Sequence, residues 1–338
     1  GVSSATAREF QDFLSFKKSV PGKTHLIKKN MSIYTHQDSN IRKTWLLMAI
    51  FLGVVIGIGW VFSYVYSDPF ILYIFVFISI VMNIGSYWFS DKLVLSMYRA
   101  KEITKADNPI LWNTVENLSI TAGLPMPKTY IIPDPQPNAF ATGRNKEHAA
   151  VAVTTGLLGI LNQTELEGVI AHELAHIGNR DMLLSTVVVV LVGFVTLISD
   201  FFLRSRFMGL HGDGGGGNDR GGGNVRGILM IVGIVLAILS PLIATLIKFA
   251  ISRKREFLAD ASGSLLTRYP EGLASALEKI SQHSAEPMKR ANNATAHLFI
   301  SNPFGGESAL GFKAAKGITK LFMTHPPMED RVKALRDQ

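Results

Sequence analysis

Hydrophobic positions in this chain fall in long blocks separated by polar stretches. Residues 44–66 and 69–90 each run for more than twenty positions without Asp, Glu, Lys or Arg. As helices rising about 1.5 Å per residue, each is long enough to cross a hydrocarbon layer of about 30 Å. Only Ser67 and Asp68 separate them, which predicts a tight helical hairpin. Trp45, Trp60, Tyr64 and Tyr66 lie toward the ends of the first run, where interfacial aromatic rings collect. A second pair follows at 183–199, which is short, and 227–247, which carries a kink-forming Pro241. That pair reads either as a second hairpin in the bilayer or as buried core helices. Residues 209–227 between them hold ten glycines in nineteen positions and lack a G-K-[ST] ending, so they read as a flexible linker rather than a phosphate cradle.

The polar segments then acquire a side. Arg8, Lys17, Lys18, Lys23, Lys28, Lys29, Arg42 and Lys43 precede the first run, which places the N-terminus in the cytoplasm under the positive-inside rule. An even number of crossings returns residues 91–182 and 252–338 to that side. The expected plan is a cytoplasmic segment 1–43, a transmembrane hairpin 44–90, a first catalytic segment 91–182, a second apolar hairpin 183–251 and a second catalytic segment 252–338. Met31 reads as a start of its own, and the origin of residues 1–30 stays open. The first run is too long and too far from the N-terminus for a signal peptide, and no small-residue cleavage site follows it.

Composition agrees with lipid. Only 18% of the 338 residues are charged, against about a quarter in soluble domains. The absence of cysteine excludes disulfides, thiolate catalysis and cysteine-ligated metals. The net charge of +8 is concentrated around the apolar runs, where it reports topology rather than nucleic-acid binding.

The chemistry-bearing stretch is His172-Glu173-Leu174-Ala175-His176. On a helix, positions i and i+4 share a face, so both imidazoles can reach one cation while Glu173 leans toward an open coordination position. Thr164 to Glu167 matches a capping box, and Leu166, Val169, Ile170, Leu174 and Ile177 form a helical apolar stripe. A catalytic Zn²⁺ takes three protein ligands and a water. Glu256 is the best third-ligand candidate, with His148, His297 and His325 next, although taken alone Glu256 and Asp260 read equally as an exposed acidic pair balanced by Arg253, Lys254 and Arg255. Asp260, at i+4 from Glu256, would orient an imidazole through its distal N–H. His176 stands seven residues before the third apolar run and Glu256 nine after the fourth, so an antiparallel hairpin brings the two motifs together at the membrane surface. Glu173 is the expected general base, and His325 and Arg331 are candidate donors to the oxyanion. Spacing alone favours reading that last pair as part of a solvated C-terminal helix that starts at the prolines.

Taken together, these motifs resemble the HtpX-type membrane-bound zinc metallopeptidases of family M48, associated with membrane-protein quality control. The resemblance rests on residues 123–127 (GLPMP), 137–143 (PNAFATG), 172–181 (HELAHIGNRD), 255–260 (REFLAD) and 324–327 (THPP). It implies one Zn²⁺ per chain on His172, His176 and Glu256, with Glu173 as base, and a substrate cleft along Asn138 and residues 151–155. Residues 151–155 also read as a short strand able to pair with an extended peptide. The expected fold is mainly α with a small β-sheet, a multi-pass membrane protein whose gluzincin-like metalloprotease domain is split around a helical hairpin. The expected activity is endoproteolysis of misfolded or damaged membrane proteins from the cytoplasmic face, with polypeptides and the bilayer as partners and no nucleic acid. A site-specific processing peptidase and a non-hydrolytic metal-binding scaffold are the alternatives.

Overall fold

Helix formation in the computed structural model follows the first two apolar runs and continues past both. Residues 33–193, 253–292, 295–305 and 326–337 are described. Helix α1 covers Ile33–Tyr66 and α2 covers Pro69–Met97. The reversal between them is as short as the sequence predicts. Ser67 takes a left-handed φ of 54°, and the Asp68 side chain accepts from the Phe70 N–H, with Pro69 opening the helix where its missing donor costs nothing. Both are long and apolar enough to cross a membrane. Trp60, Tyr73, Phe77 and Trp88 stay exposed on their outer faces, as suits side chains solvated by lipid.

The third apolar run is described as far as Gly193, as helix α6 (Asp181–Gly193). Its Leu184, Val187, Val188, Leu191 and Val192 pack against Leu47, Phe51 and Val55 of α1. The fourth run at 227–247, the glycine-rich stretch 209–227 and residues 1–30 lie outside the described residues.

A four-stranded sheet carries the polar half. Strands β1 (Lys101–Glu102), β2 (Lys128–Ile132), β3 (Ala139–Gly143) and β4 (Ala149–Thr154) run in the order β1-β2-β4-β3, with β2 and β4 parallel and the other pairs antiparallel. Alternate residues of β3 and β4 face two cores. Ala139, Ala141, Val151 and Val153 meet helices α3 (Pro109–Ala122), α4 (Thr155–Ile160) and α5 (Gln163–Asn179), whereas Phe140, Ala150 and Ala152 meet Tyr98 and Phe299.

The predicted stripe on α5 is buried as expected: Leu166, Val169, Ile170, Leu174 and Ile177 all enter the core. The cap is corrected. Asn162, not Thr164, starts the helix; its Oδ1 accepts from the Glu165 N–H at 2.9 Å, and Glu165 Oε2 accepts from the Asn162 N–H at 2.9 Å. Asn is as good a cap as Thr, and Glu165 is fixed further by Ser275 and Lys279 at 2.7 and 2.8 Å. Later in the chain, α7 (Arg253–Thr267), α8 (Pro270–His283) and α9 (Met328–Arg336) close the core around α5. Gly263 of α7 lies so near α5 that a Cβ there would stand 3.0 Å from the His172 nitrogen.

Candidate metal centre

Helix α5 is held by its cap at one end and by its apolar stripe along its length, so His172 and His176 project one turn apart from a rigid support. Helix α7, admitted by Gly263, brings Glu256 to the same point. The ring nitrogens Nε2 of His172 and His176 are 3.2 Å apart, and the Glu256 carboxylate oxygens lie 3.8 and 3.7 Å from them. Of the described residues, these three form the one cluster whose donor atoms can hold a metal ion, all within 4.8 Å of one another. The eighty-residue gap between the motifs is closed in space.

Each imidazole is aimed by a carboxylate on its other nitrogen. Asp260 Oδ1 lies 2.9 Å from His172 Nδ1, and Asp181 Oδ2 lies 3.2 Å from His176 Nδ1. Both bonds leave Nε2 facing the cluster, the arrangement that supports metal-binding histidines. Asp260 is gripped by Arg331, whose Nε and Nη2 donate to its two oxygens at 2.9 and 2.7 Å. The same Nη2 is 3.4 Å from both nitrogens of His172, so the guanidinium packs over the ring face.

The electrostatics sort the two histidines. Burial, opposed by Asp260 and helped by the Arg331 charge, pushes His172 down to about 4, so it is neutral and offers a lone pair at Nε2. Burial also disfavours the charged form of His176, but Asp181, Glu256 and Glu173 outweigh it and raise the group to about 9. A cation held between the two Nε2 atoms would have to displace a proton from His176. Glu173 is only 2% exposed, and burial, helped by Glu256 and opposed by His176, Arg331 and the Ala141 N–H, raises its carboxyl to about 7.

The sequence model of peptidase family M48 matches residues 105–338. A protease HtpX homolog of Caldanaerobacter subterraneus subsp. tengcongensis is 43% identical over 306 residues, covering 90% of this chain and 97% of the relative. Another, from Tropheryma whipplei strain Twist, is 44% identical over 305 residues, covering 90% and 98%. The chain belongs to peptidase family M48. It is thus a membrane-bound, metal-dependent peptidase acting on polypeptides. Among solved structures, the crystal structure of S. mikatae Ste24p is similar at a TM-score of 0.45 and 18% identity, over 98% of this chain and 73% of that one.

Within this M48 peptidase, several expected residues sit elsewhere than anticipated. Asn138 is fully buried. Its Nδ2 donates to the Ser301 carbonyl at 3.0 Å and its Oδ1 accepts from the Ser301 N–H at 3.1 Å, so it pins residue 301 to the sheet and faces no cleft. Strand β4 cannot take an added peptide strand, because β2 and β3 occupy its two edges. Arg331 is 0% exposed and spends its donors on Asp260 and the Ile300 carbonyl, which makes it a support for Asp260 rather than an oxyanion donor. His325 lies outside the described residues. His148 bonds Asn145 at 2.6 Å and His297 bonds the Ser185 carbonyl at 3.0 Å, both away from the cluster. Asp181 was missed by the sequence reading, although its position five residues after His176 is the signal that would have found it.

Proposed function

We propose that this chain is a zinc-dependent endopeptidase of the cytoplasmic membrane, acting from the cytoplasmic face on misfolded or damaged membrane proteins. The observation that carries the reading is the convergence of His172, His176 and Glu256 with Glu173 beside them. Ligands bound at about 2.0–2.1 Å in a tetrahedral site stand a little over 3 Å apart, and the 3.2 Å between the imidazole nitrogens fits that edge. Two imidazoles and a carboxylate, without thiolate, are a catalytic zinc donor set. When bound there, the ion supplies Lewis-acid polarisation of the scissile carbonyl and lowers the pKa of water.

The chain's own groups do the rest. Glu173, with a carboxyl near neutrality, takes a proton from the attacking water and returns it to the leaving amine. Asp260 and Asp181 keep the imidazoles aimed. Strand β3 lies at the sheet edge nearest Glu173. By antiparallel alternation, Ala139, Ala141 and Gly143 direct their backbone groups outward; Ile300 already donates to the Ala139 carbonyl at 3.0 Å and the Ala141 N–H to Glu173, which leaves the Ala141 carbonyl and the Gly143 groups on that edge. The Ala141–Gly143 end of that edge is the strand to which an extended substrate would pair, a mode that reads backbone more than side chain and so tolerates varied sequences. The basic residues ahead of α1 support the cytoplasmic assignment.

Glu173→Gln keeps the ligands and removes the proton acceptor, so purified protein should retain zinc and lose casein hydrolysis. Activity above a few per cent in that variant would refute the assignment. In liposomes, loops of a destabilised membrane protein should be cleaved faster than those of its stable parent. A single fixed cleavage site would instead indicate a processing peptidase.

A further inference from the structure

Helix α1 does more than cross the membrane. Asn40 lies one turn before the apolar run begins and is only 4% exposed. A buried amide is costly unless its hydrogens are bonded, and these are spent far away in sequence. The Nδ2 group donates to the Asn179 carbonyl at 3.3 Å and to Asp181 Oδ1. Those acceptors flank Arg180, whose left-handed φ of 57° ends α5 and begins the 85° bend into α6. The other oxygen of Asp181 faces His176 Nδ1 at 3.2 Å, and Arg255 Nε lies 3.7 Å from Oδ1.

We propose that Asn40 is a positioning residue of the metal centre, its amide holding the bend and Asp181 so that His176 is presented to the metal. The inference rests on the reading of His176 as a ligand. Its consequence is that the membrane helix is part of the peptidase site. Asn40 precedes residue 105, where the family match begins, so residues 105–338 alone lack a support of one imidazole.

The test uses the full chain in detergent, with zinc titrated against a competing chelator. Asn40→Ala should weaken zinc binding about 10-fold, the lower end for an outer partner of a metal ligand. Asp181→Ala should weaken it by about 10–100-fold, and adding Asn40→Ala to that variant should change nothing further. Thr44→Val, which alters a buried position of the same helix whose hydroxyl bonds the Asn40 carbonyl, should leave zinc affinity within about twofold. At saturating zinc, Asn40→Ala should lower kcat on casein and leave KM unchanged. Wild-type zinc affinity in Asn40→Ala, or additive losses in the double variant, would overturn the proposal. If Asn40→Ala does not accumulate, Asn40→Asp replaces it. That variant sets a carboxylate against Asp181 and must bind zinc at least as weakly, and wild-type affinity there would also overturn the proposal. His176→Ala separates the two readings: full affinity in that variant removes His176 as a ligand, whereas lost affinity beside a normal Asn40→Ala removes only the role of Asn40.

Discussion

Replacing Glu173, the proposed general base, should make the metal-free protein more stable, and only where that carboxyl is ionised. Folded Glu173 binds its proton near pH 7, whereas in the unfolded chain it does so near the ordinary 4.5. Below 4.5 both states are protonated and burial carries no added electrostatic cost. Between 4.5 and 7 the unfolded state ionises first, so stability falls as pH rises, and above 7 the whole cost is present. At about 1.4 kcal/mol per tenfold in proton affinity, that cost reaches about 3 kcal/mol at pH 8 and stays below about 1 kcal/mol at pH 5. Glu173→Gln keeps the size and removes the charge. With an unfolding entropy of about 2 cal/mol/K per residue, 3 kcal/mol corresponds to a rise of about 4 °C in Tm at pH 8. The assay is thermal melting of the full chain in detergent with chelator present, at pH 5 and pH 8. Saturating zinc should shrink the difference, because a dication beside the carboxylate offsets the cost of burying it. Equal Tm differences at the two pH values without metal, or a variant less stable at pH 8, would refute the argument.

Three further outcomes are expected. Glu256→Ala should lower zinc occupancy, and Asp260→Ala should weaken affinity by about 10–100-fold; full zinc in Glu256→Ala by metal analysis would place the third ligand elsewhere. Arg331→Ala should cost about 3–5 kcal/mol by leaving Asp260 as an uncompensated buried charge, and Arg331→Lys should recover only part of it for want of a two-pronged contact; a lysine variant melting with the wild type would contradict this. Reporter fusions after Lys105 and after Gln338 should report the same side of the membrane, and opposite sides would mean an odd number of crossings between them.

The parts legible in sequence were those with a strong local period or a fixed spacing. Uncharged runs gave the α1–α2 hairpin, and the i, i+4 histidines on an apolar stripe gave α5. The approach of Glu256 to the two histidines was legible for a less local reason: the apolar runs between His176 and Glu256 imply that chain leaving the site must come back to it. What failed depended on pairing partners that no single segment encodes. Residues 151–155 look like a strand, yet nothing in them says that both edges are filled. Asn138 sits in a loop-like context, and only Ser301, far along the chain, explains why its amide is buried. Arg331 was read as an exposed helical residue with a charge to offer, whereas Asp260 draws it fully inside.

The two imidazoles are supported from opposite ends of the chain, and this bears on when a working site exists. His172 is aimed by Asp260, which Arg331 holds from the C-terminal helix α9. His176 is aimed by Asp181, which meets Asn40 near the start of α1. Asp181 follows α5 directly, but its partner Asn40 and the Asp260–Arg331 pair come from distant parts of the chain, and each buried carboxylate costs free energy without its partner. A partly folded chain would hold the His172–His176 pair on α5 but leave both rings free to turn, and a bidentate imidazole pair without Glu256 binds a cation weakly. On the proposed ligand set, strong metal binding would require α1 and α9 docked as well as α7.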